Sequence, residues 1–410
     1  MTTIEVYLGD GDATLVGQAH LTRNRGQLST TFLYSSQYLS GTHAAIDPAL
    51  PLVPGAQHQL GLAGAFADSS PDRWGRNLIE KAERASAREE NRSVQSLDDL
   101  DFLLGVSDDT RQGALRFRMP DQLDFLGRPS KVPQLVSLPE LLRASDQLSR
   151  DGDTSAAVKQ LLDTGTTGLG GARPKASFRF PDQGLGIAKF PHASDQWDVM
   201  AWESTALDLL GLAGITTPLH KLVTVGERSV LLLRRFDRSP LGSRIGYISA
   251  MTATGSTDGQ RRDYADIAES LRDLSSNLKS DQRELFDRAV ANVALGNTDD
   301  HLRNHGLLST GHGWAMSPAF DVNPNPDLAQ RRSTSIMGAD TFDDEVAGLL
   351  ALADECDLTL KNAKNRIGAV AGHLSGWQAV ARKNGIRGQE VTMMAESLTP
   401  RLEALLAAAV

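Results

Sequence analysis

The hydrophobic pattern of this 410-residue chain changes twice along its length, and that change restricts the possible folds more than any other feature. Short alternating runs come first and predict strands of a small antiparallel sheet: 4–8, 15–19 and 30–34. From Leu138 to Leu233, the order is helix, glycine-rich loop, two strands, helix and two strands, and the pattern beyond Gly255 is mainly helical. The sequence therefore predicts an α+β protein.

Helical periodicity and turn residues divide the chain further. The predicted helices are 72–90, 264–274, 282–295, 342–352, 358–383 and 399–409, and a further strand is predicted at 114–118. Pro120 and the polar residues up to Pro133 indicate a boundary. We therefore expect a β-rich amino-terminal region, a central α/β lobe and a helical carboxy-terminal lobe: 1–130, 131–252 and 253–410.

Composition and cysteine content argue against several classes of protein. A formal net charge of −9 disfavours unaided binding to a phosphate backbone. The single cysteine, Cys356, cannot form an intramolecular disulfide, and no Cys and His cluster has structural zinc spacing. No stretch approaches the roughly 20 apolar residues that span a bilayer, and the first residues lack a signal-peptide pattern. We expect a cytoplasmic protein without a membrane partner.

A glycine-rich segment, residues 164–175, precedes a predicted strand. Glycines allow backbone N–H groups to approach phosphate oxygens, and basic side chains add positive charge. The candidate nucleotide contacts in this segment are Gly170, Gly171, Ala172, Arg173 and Lys175. The segment lacks the Gly-Lys-Ser/Thr ending of a Walker A motif, so a surface turn is an equal alternative on this pattern alone.

Two charged residues stand in apolar surroundings. Lys189 ends a short apolar strand, where a buried ammonium would need an anion such as a phosphate or a carboxylate. Glu203 has apolar neighbours at helical spacing and would need a cationic partner. A strand lysine and a helix glutamate form the ion pair that positions nucleotide phosphates in protein kinases. Alternatively, Lys189 extends to solvent at a strand end and Glu203 faces water.

The most specific motif is the segment 296–306. Asp299 and Asn304 have the D-x-x-x-x-N spacing of a kinase catalytic loop, in which the Asp accepts the substrate hydroxyl proton and the Asn holds Mg²⁺. Asp321 follows at a position suited to a second Mg²⁺ ligand. Together with the glycine-rich segment, Lys189 and Glu203, these residues follow the order found in kinases, which predicts transfer of a phosphoryl group from Mg-ATP.

A zinc site is the competing interpretation of the same segment. His301 and His305 are four residues apart, as zinc ligands are on one face of a helix. The zincin motif requires Glu directly after the first His, but Leu302 occupies that position. We therefore favour a role for His301 in orienting the catalytic loop, and a purely structural histidine is the alternative.

These motifs resemble those of the HipA-type serine/threonine kinase toxins of bacterial toxin–antitoxin systems. The resemblance extends over nearly the whole chain. It includes Pro71-Asp72-Arg73-Trp74-Gly75-Arg76 and Gly113-Ala114-Leu115-Arg116-Phe117, Gly170-Gly171-Ala172-Arg173-Pro174-Lys175-Ala176 in the nucleotide loop, and Thr298-Asp299-Asp300-His301 with Asn304 in the catalytic loop.

The resemblance implies a protein-kinase-like, two-lobed fold with a β-rich accessory region and an all-helical carboxy-terminal lobe. It places Lys189 at the ATP phosphates and residues 233–236, with Arg235 and Phe236, along the adenine hinge. Family members phosphorylate a serine in their own nucleotide loop, which inactivates them. Gly168 stands at about that position here, so the neighbouring Thr166 and Thr167 are the candidate acceptors.

The resemblance also implies partners. It predicts a small helix-turn-helix antitoxin that carries most of the contacts with operator DNA, and a protein substrate such as a component of translation. Phosphorylation of that substrate would inhibit growth and favour persistence. Two other functions remain open from the residues: a kinase for a small molecule or a lipid, and a non-catalytic corepressor.

Overall fold

The computed structural model describes residues 1–11, 13–127, 130–148, 155–166 and 173–410. These residues pack as two compact units. Unit 1 contains residues 1–194 and 224–248, and unit 2 contains residues 195–223 and 249–410. The three-part division expected from the sequence stays a prediction.

Unit 1 begins with a five-stranded sheet in the order β4-β3-β2-β1-β5, and its neighbouring strands pair antiparallel. The strands are β1 (Thr2–Leu8), β2 (Thr14–Asn24), β3 (Gln27–Tyr34), β4 (Gln57–Leu60) and β5 (Leu115–Arg118). Gly17 of β2 is required by close pairing, because a Cβ there would lie 2.0 Å from the carbonyl oxygen of Leu33. The strands predicted in the first third of the chain are confirmed.

The helices of unit 1 are short except for one. They are α1 (Ser36–Ser40), α2 (Gly64–Asp68), α3 (Arg73–Glu89), α4 (Asp99–Gly105), α5 (Leu138–Leu148) and α6 (Ser155–Asp163), with a 3-10 turn at Leu135–Ser137. The α3 helix confirms the helix predicted over 72–90. A capping box starts α4, since the Asp98 carboxylate accepts from backbone N–H groups and Asp101 accepts from the Asp98 N–H.

A second antiparallel sheet completes unit 1. It contains β6 (Lys175–Arg179), β7 (Leu185–Lys189) and β9 (Arg228–Arg234), and the end of β8 (His220–Val225) lies at its outer edge. The strands β6, β7 and β9 are buried along most of their length, with Phe178 and Val230 fully inaccessible to solvent. The last strand of this part, β10, is Tyr247–Ser249.

Unit 2 is mainly helical. Its helices are α7 (Val199–Leu212), α8 (Ala250–Ala253), α9 (Tyr264–Leu274), α10 (Leu278–Ala294), α11 (Phe342–Glu355), α12 (Leu360–Leu374), α13 (Trp377–Lys383) and α14 (Gly388–Ala408). None of the helices in the described ranges is long and apolar enough to cross a membrane. The predicted helical character of this lobe is confirmed.

Two predicted helices are wrong in their lengths. The helix predicted over 399–409 is only the second half of α14, which begins at Gly388. The segment 358–383 is two helices, because the chain turns at Ser375 and Gly376 and the backbone angles of Gly376 are no longer helical. The Ser375 hydroxyl donates to the Ala371 carbonyl, which competes with the helical backbone, and glycine has a low helix propensity.

The carboxy-terminal lobe is mainly helical and not all-helical as expected, because two pairs of short strands accompany the helices of unit 2. The first pairs β11 (Arg262–Asp263) with β14 (Thr334–Ser335) in parallel, and the second pairs β12 (Gly306–Ser309) with β13 (Trp314–Met316) antiparallel. The β12 strand directly follows the segment 296–306, so it fixes one end of that segment.

Candidate functional site

The candidate catalytic loop leaves the carboxyl end of α10 at Gly296. This glycine has φ +60°, and a Cβ at its position would lie 2.9 Å from the Ser397 hydroxyl and 3.0 Å from the Asn325 carbonyl. Only glycine fits such a turn without displacing its neighbours. The tight turn at Gly296 therefore fixes the direction in which the chain leaves the buried α10 helix.

Asp299 and Asn304 lie close together within this loop. Asn304 is buried at the end of a 3-10 turn, Leu302–Asn304, and its Nδ2 donates to the Asp299 carbonyl at 3.1 Å. Asp299 itself is exposed, and the Ser333 hydroxyl lies 3.5 Å from its Oδ1. The Asp299 carboxylate is thus exposed to solvent, and the Asn304 side chain is buried next to it.

The electrostatics of Asp299 connect it with Asp321. The pKa of Asp299 is raised above its usual value, chiefly because surrounding atoms remove part of the water from its carboxylate. His301 opposes this shift, while the negative charge of Asp321 adds to it. The carboxylates of Asp299 and Asp321, which are far apart in sequence, therefore lie in one electrostatic neighbourhood.

Asp321 has a rare backbone conformation. Its φ is +59°, in the left-handed region that non-glycine residues adopt infrequently and mostly where surrounding structure enforces it. The Asn323 amide donates to the Asp321 carboxylate at 3.4 Å, and the Asn323 N–H donates to the Asn297 side chain, also at 3.4 Å. These bonds connect the segment around Asp321 with the start of the candidate catalytic loop.

Asn304 and Asp321 provide the oxygen donors that Mg²⁺ prefers. Within the described residues no group of three or more His, Cys, Asp or Glu side chains forms a metal cluster. Mg²⁺ typically needs only one or two protein ligands when substrate phosphates complete its coordination. The residues present therefore fit Mg²⁺ held jointly by the protein and a nucleotide.

The two histidines of the loop have different surroundings. His305 is 2% exposed, and its Nε2 lies 2.9 Å from Asp300 Oδ1, without the alignment of a hydrogen bond. His301 is partly exposed, and its buried Nδ1 has no hydrogen-bond partner in the part of the chain that the structure describes. The two side chains do not gather with a third zinc ligand there.

In unit 1, two candidate phosphate-binding lysines lie side by side on neighbouring strands. The register of β6 and β7 makes Lys175 and Lys189 direct cross-strand partners, and they are only 4% and 7% exposed. Arg173 lies two residues before Lys175 and is partly exposed. Two buried ammonium groups at one point of a sheet concentrate positive charge, which suits an anionic ligand.

Arg235 of the expected hinge is buried and tightly held. Its guanidinium forms a salt bridge with Asp237 and donates to the Thr110 carbonyl at 2.6 Å. Thr110 also donates through its hydroxyl to the Gly165 carbonyl at 2.5 Å, at the start of the glycine-rich segment. Phe236 is partly exposed, and its ring centroid lies 6.3 Å from that of Tyr247. The segment around Thr110 therefore contacts both parts of the expected nucleotide site.

The candidate acceptor Thr166 is fully buried, and its hydroxyl is hydrogen-bonded to that of Thr164. A phosphoryl donor cannot reach this hydroxyl in the conformation observed. Four further predicted residues lie outside the described ranges: Thr167, Gly170, Gly171 and Ala172.

Glu203 lies on α7 and is 1% exposed, which excludes the alternative that it faces water. Lys189 is likewise buried, so it does not extend freely into solvent. The two residues belong to different units, and the ion pair between them stays a prediction.

The sequence motifs do not indicate the roles of three further residues that lie in the loop or contact Asp299 or Asp321. Ser333 contacts Asp299 and Asn323 contacts Asp321, while the buried Asp300 contacts Tyr264. Ser333 is 34 residues from Asp299 in sequence, and no spacing rule connects them. Asp300 sits beside Asp299 and has the same chemistry, so only burial distinguishes the two.

Comparison with known proteins identifies the family. The HipA N-terminal domain model matches residues 4–118, and the HipA-like C-terminal domain model matches residues 167–377. A solved structure of HipA from Shewanella oneidensis MR-1, in complex with HipB and operator DNA, has 15% identity and a TM-score of 0.65. That match covers 99% of this chain and 96% of the HipA chain, and it confirms the predicted α+β fold.

A curated relative is similar over a shorter part. The putative kinase Y4mE of Sinorhizobium fredii (strain NBRC 101917 / NGR234) is 29% identical over 108 residues. This match spans 25% of the present chain and only 26% of the relative's length. Because the two HipA domain models together cover most of the sequence, the chain belongs to the HipA family.

Proposed function

We propose that this protein is an ATP-dependent serine/threonine protein kinase that acts as the toxin of a toxin–antitoxin pair. The observation that carries the proposal is the grouping of Asp299, Asn304 and Asp321 in unit 2. Asn304 bonds to the Asp299 backbone, and the charge of Asp321 reaches the Asp299 carboxylate. A scaffold without catalytic function has no physical need for an exposed carboxylate beside two oxygen ligands.

In the proposed reaction, an acceptor hydroxyl approaches the exposed Asp299 carboxylate. The acceptor oxygen forms a bond to the γ-phosphorus, and the bond from that phosphorus to the β–γ bridging oxygen breaks. The hydroxyl proton passes to Asp299, and ADP leaves. A general base of this kind contributes on the order of 10²–10⁴-fold to the rate.

Other residues would bind and orient the nucleotide. Asn304 and Asp321 would hold Mg²⁺, which neutralises charge on the phosphates when it is bound. Lys175 and Lys189 would contact phosphate oxygens from β6 and β7, and Arg173 would add charge at the entrance to β6. His301 would keep the loop oriented beside Asp299, and its charge acts to lower the pKa of the Asp299 carboxyl.

The toxin role and its partners are supported by family membership. The Shewanella oneidensis HipA was solved with HipB and operator DNA, and we propose a helix-turn-helix antitoxin for this chain as well. The net charge of −9 suits DNA contact made mainly through such a partner. The substrate would be a cytoplasmic protein, such as a component of translation, and its phosphorylation would stop growth.

Phosphoproteomics after brief expression tests this proposal. The natural chain should add phosphate to a small set of serine or threonine residues and inhibit growth, and Asp299→Asn should do neither. Label that appears in a metabolite or a lipid would instead favour a small-molecule or lipid kinase. Binding of ATP without any turnover in lysate would favour a corepressor.

A further inference from the structure

Asp299 and Asp300 are adjacent carboxylates with opposite environments. Asp299 is exposed, whereas Asp300 is 2% exposed and surrounded by polar side chains of unit 2. We infer that Asp300 is a positioning residue, which anchors the loop from within and thereby fixes the place of the Asp299 carboxylate. This inference rests on the proposed role of Asp299 as the catalytic base.

Asp300 is held by contacts from two helices and from the end of its own loop. The Tyr264 hydroxyl of α9 donates to Asp300 Oδ2, and the Asn292 amide of α10 donates to the same oxygen at 2.9 Å. His305 Nε2 lies 2.9 Å from the other carboxylate oxygen. Asn292 also donates to the Tyr264 hydroxyl at 2.9 Å, so the three side chains form a closed triangle.

Arg332 connects this anchor with the segment that follows Asp321. Its Nη2 lies 3.8 Å from Asp300 Oδ2 and donates to the Asn297 carbonyl at 3.1 Å. Its Nη1 donates to Glu345 of α11 at 2.9 Å, and Glu345 also pairs with Arg401 of α14. All these side chains are buried, so the anchor extends into the core of the unit.

Ser333, which follows Arg332, contacts both Thr298 and Asp299. The Ser333 N–H donates to the Thr298 carbonyl at 2.8 Å, and its hydroxyl lies 3.5 Å from Asp299 Oδ1. Asp299 is therefore flanked by Thr298, whose backbone is bonded, and by Asp300, whose side chain is bonded. Since the intervening peptide groups are planar, fixing both neighbours restricts the position of the Asp299 backbone, from which the carboxylate extends. A displacement of about 1 Å at a reacting group can cost on the order of 10²-fold in rate.

The test compares the purified chain with Asp300→Asn, which keeps the size of the side chain but removes its charge. We expect kcat for phosphotransfer to fall on the order of 10²-fold with the KM for ATP unchanged. Amide hydrogen exchange should also become faster at residues 297–305. The matched control is Asp287→Asn, because Asp287 is a buried carboxylate of α10 that pairs with Arg366 at 2.8 Å, away from the loop.

The control should lose stability and keep kcat and loop exchange at wild-type values. An unchanged kcat in Asp300→Asn, or an equal fall in both variants, would overturn the inference. If Asp300→Asn does not fold, Tyr264→Phe removes a single hydroxyl from the anchor and should give a smaller fall in kcat with faster loop exchange; no change in either would also overturn it. If the wild type transfers no phosphate, the proposed function fails, while the exchange comparison still decides whether Asp300 anchors the loop.

Discussion

Lys175 and Lys189 are direct cross-strand partners in the second sheet of unit 1, and both are buried. Like charges at such positions disfavour each other, so their placement calls for a negative charge nearby. The pairing brings the end of the glycine-rich segment, at Lys175, directly beside the strand lysine, Lys189. Their separation of 14 residues in sequence does not indicate this proximity.

Loss of either ammonium should weaken nucleotide binding. Lys189→Met should raise the Kd for ATP by about 10-fold or more, since a hydrogen bond to a charged group contributes about 1.5–3 kcal/mol. Isothermal titration calorimetry measures this directly. Lys361→Met, at an exposed position of α12, is the control and should bind ATP like the wild type. Equal affinities in all three proteins would contradict a phosphate role for Lys189.

Neighbouring arginines of unit 1 should differ sharply in their effect on stability. Arg235→Gln leaves Asp237 with an incomplete set of buried partners and should lower the free energy of unfolding by about 3–5 kcal/mol. Arg234 pairs with Asp182 at the surface, so Arg234→Gln should cost far less. Urea unfolding of both variants distinguishes them, and similar losses would show that the Arg235 cluster is not a buried anchor.

The pair of His220 and Asp208 should make stability depend on pH. The hydrogen bond to Asp208 raises the pKa of His220. The stabilisation that protonated His220 gives the folded protein is therefore complete below about pH 6.5 and is lost as pH rises through the folded pKa. The same bond lowers the pKa of Asp208, whose contribution is lost only in acid. The stability difference between wild type and His220→Gln should therefore be largest near pH 5.5 and shrink by pH 8.5, as urea midpoints can measure. A difference that grows with pH would be the wrong sign.

Cys356 should be chemically inert in the native protein. Burial raises the pKa of its thiol to about 12, so almost no thiolate exists at pH 8. Mass spectrometry should find no iodoacetamide adduct on the folded chain and full modification in urea. Rapid modification of the folded chain would mean that the segment just after α11 opens readily.

Features that depend on local sequence were predictable. Alternation of apolar residues defined β1 and β3, and the D-x-x-x-x-N spacing placed Asp299 and Asn304 on one short loop. The break at Ser375 was missed because apolar periodicity continues on both sides of it. The anchoring of Asp300 by Tyr264 was also missed, since it depends on packing between helices that no local pattern encodes.

The central claim is that Asp299 accepts the proton from an acceptor hydroxyl. The most direct measurement is the rate of transfer from γ-labelled ATP to protein, with wild type and Asp299→Asn compared at equal nucleotide occupancy. A fall on the order of 10²–10⁴-fold with unchanged ATP affinity is the expected result. Equal transfer rates in the two proteins would contradict the account.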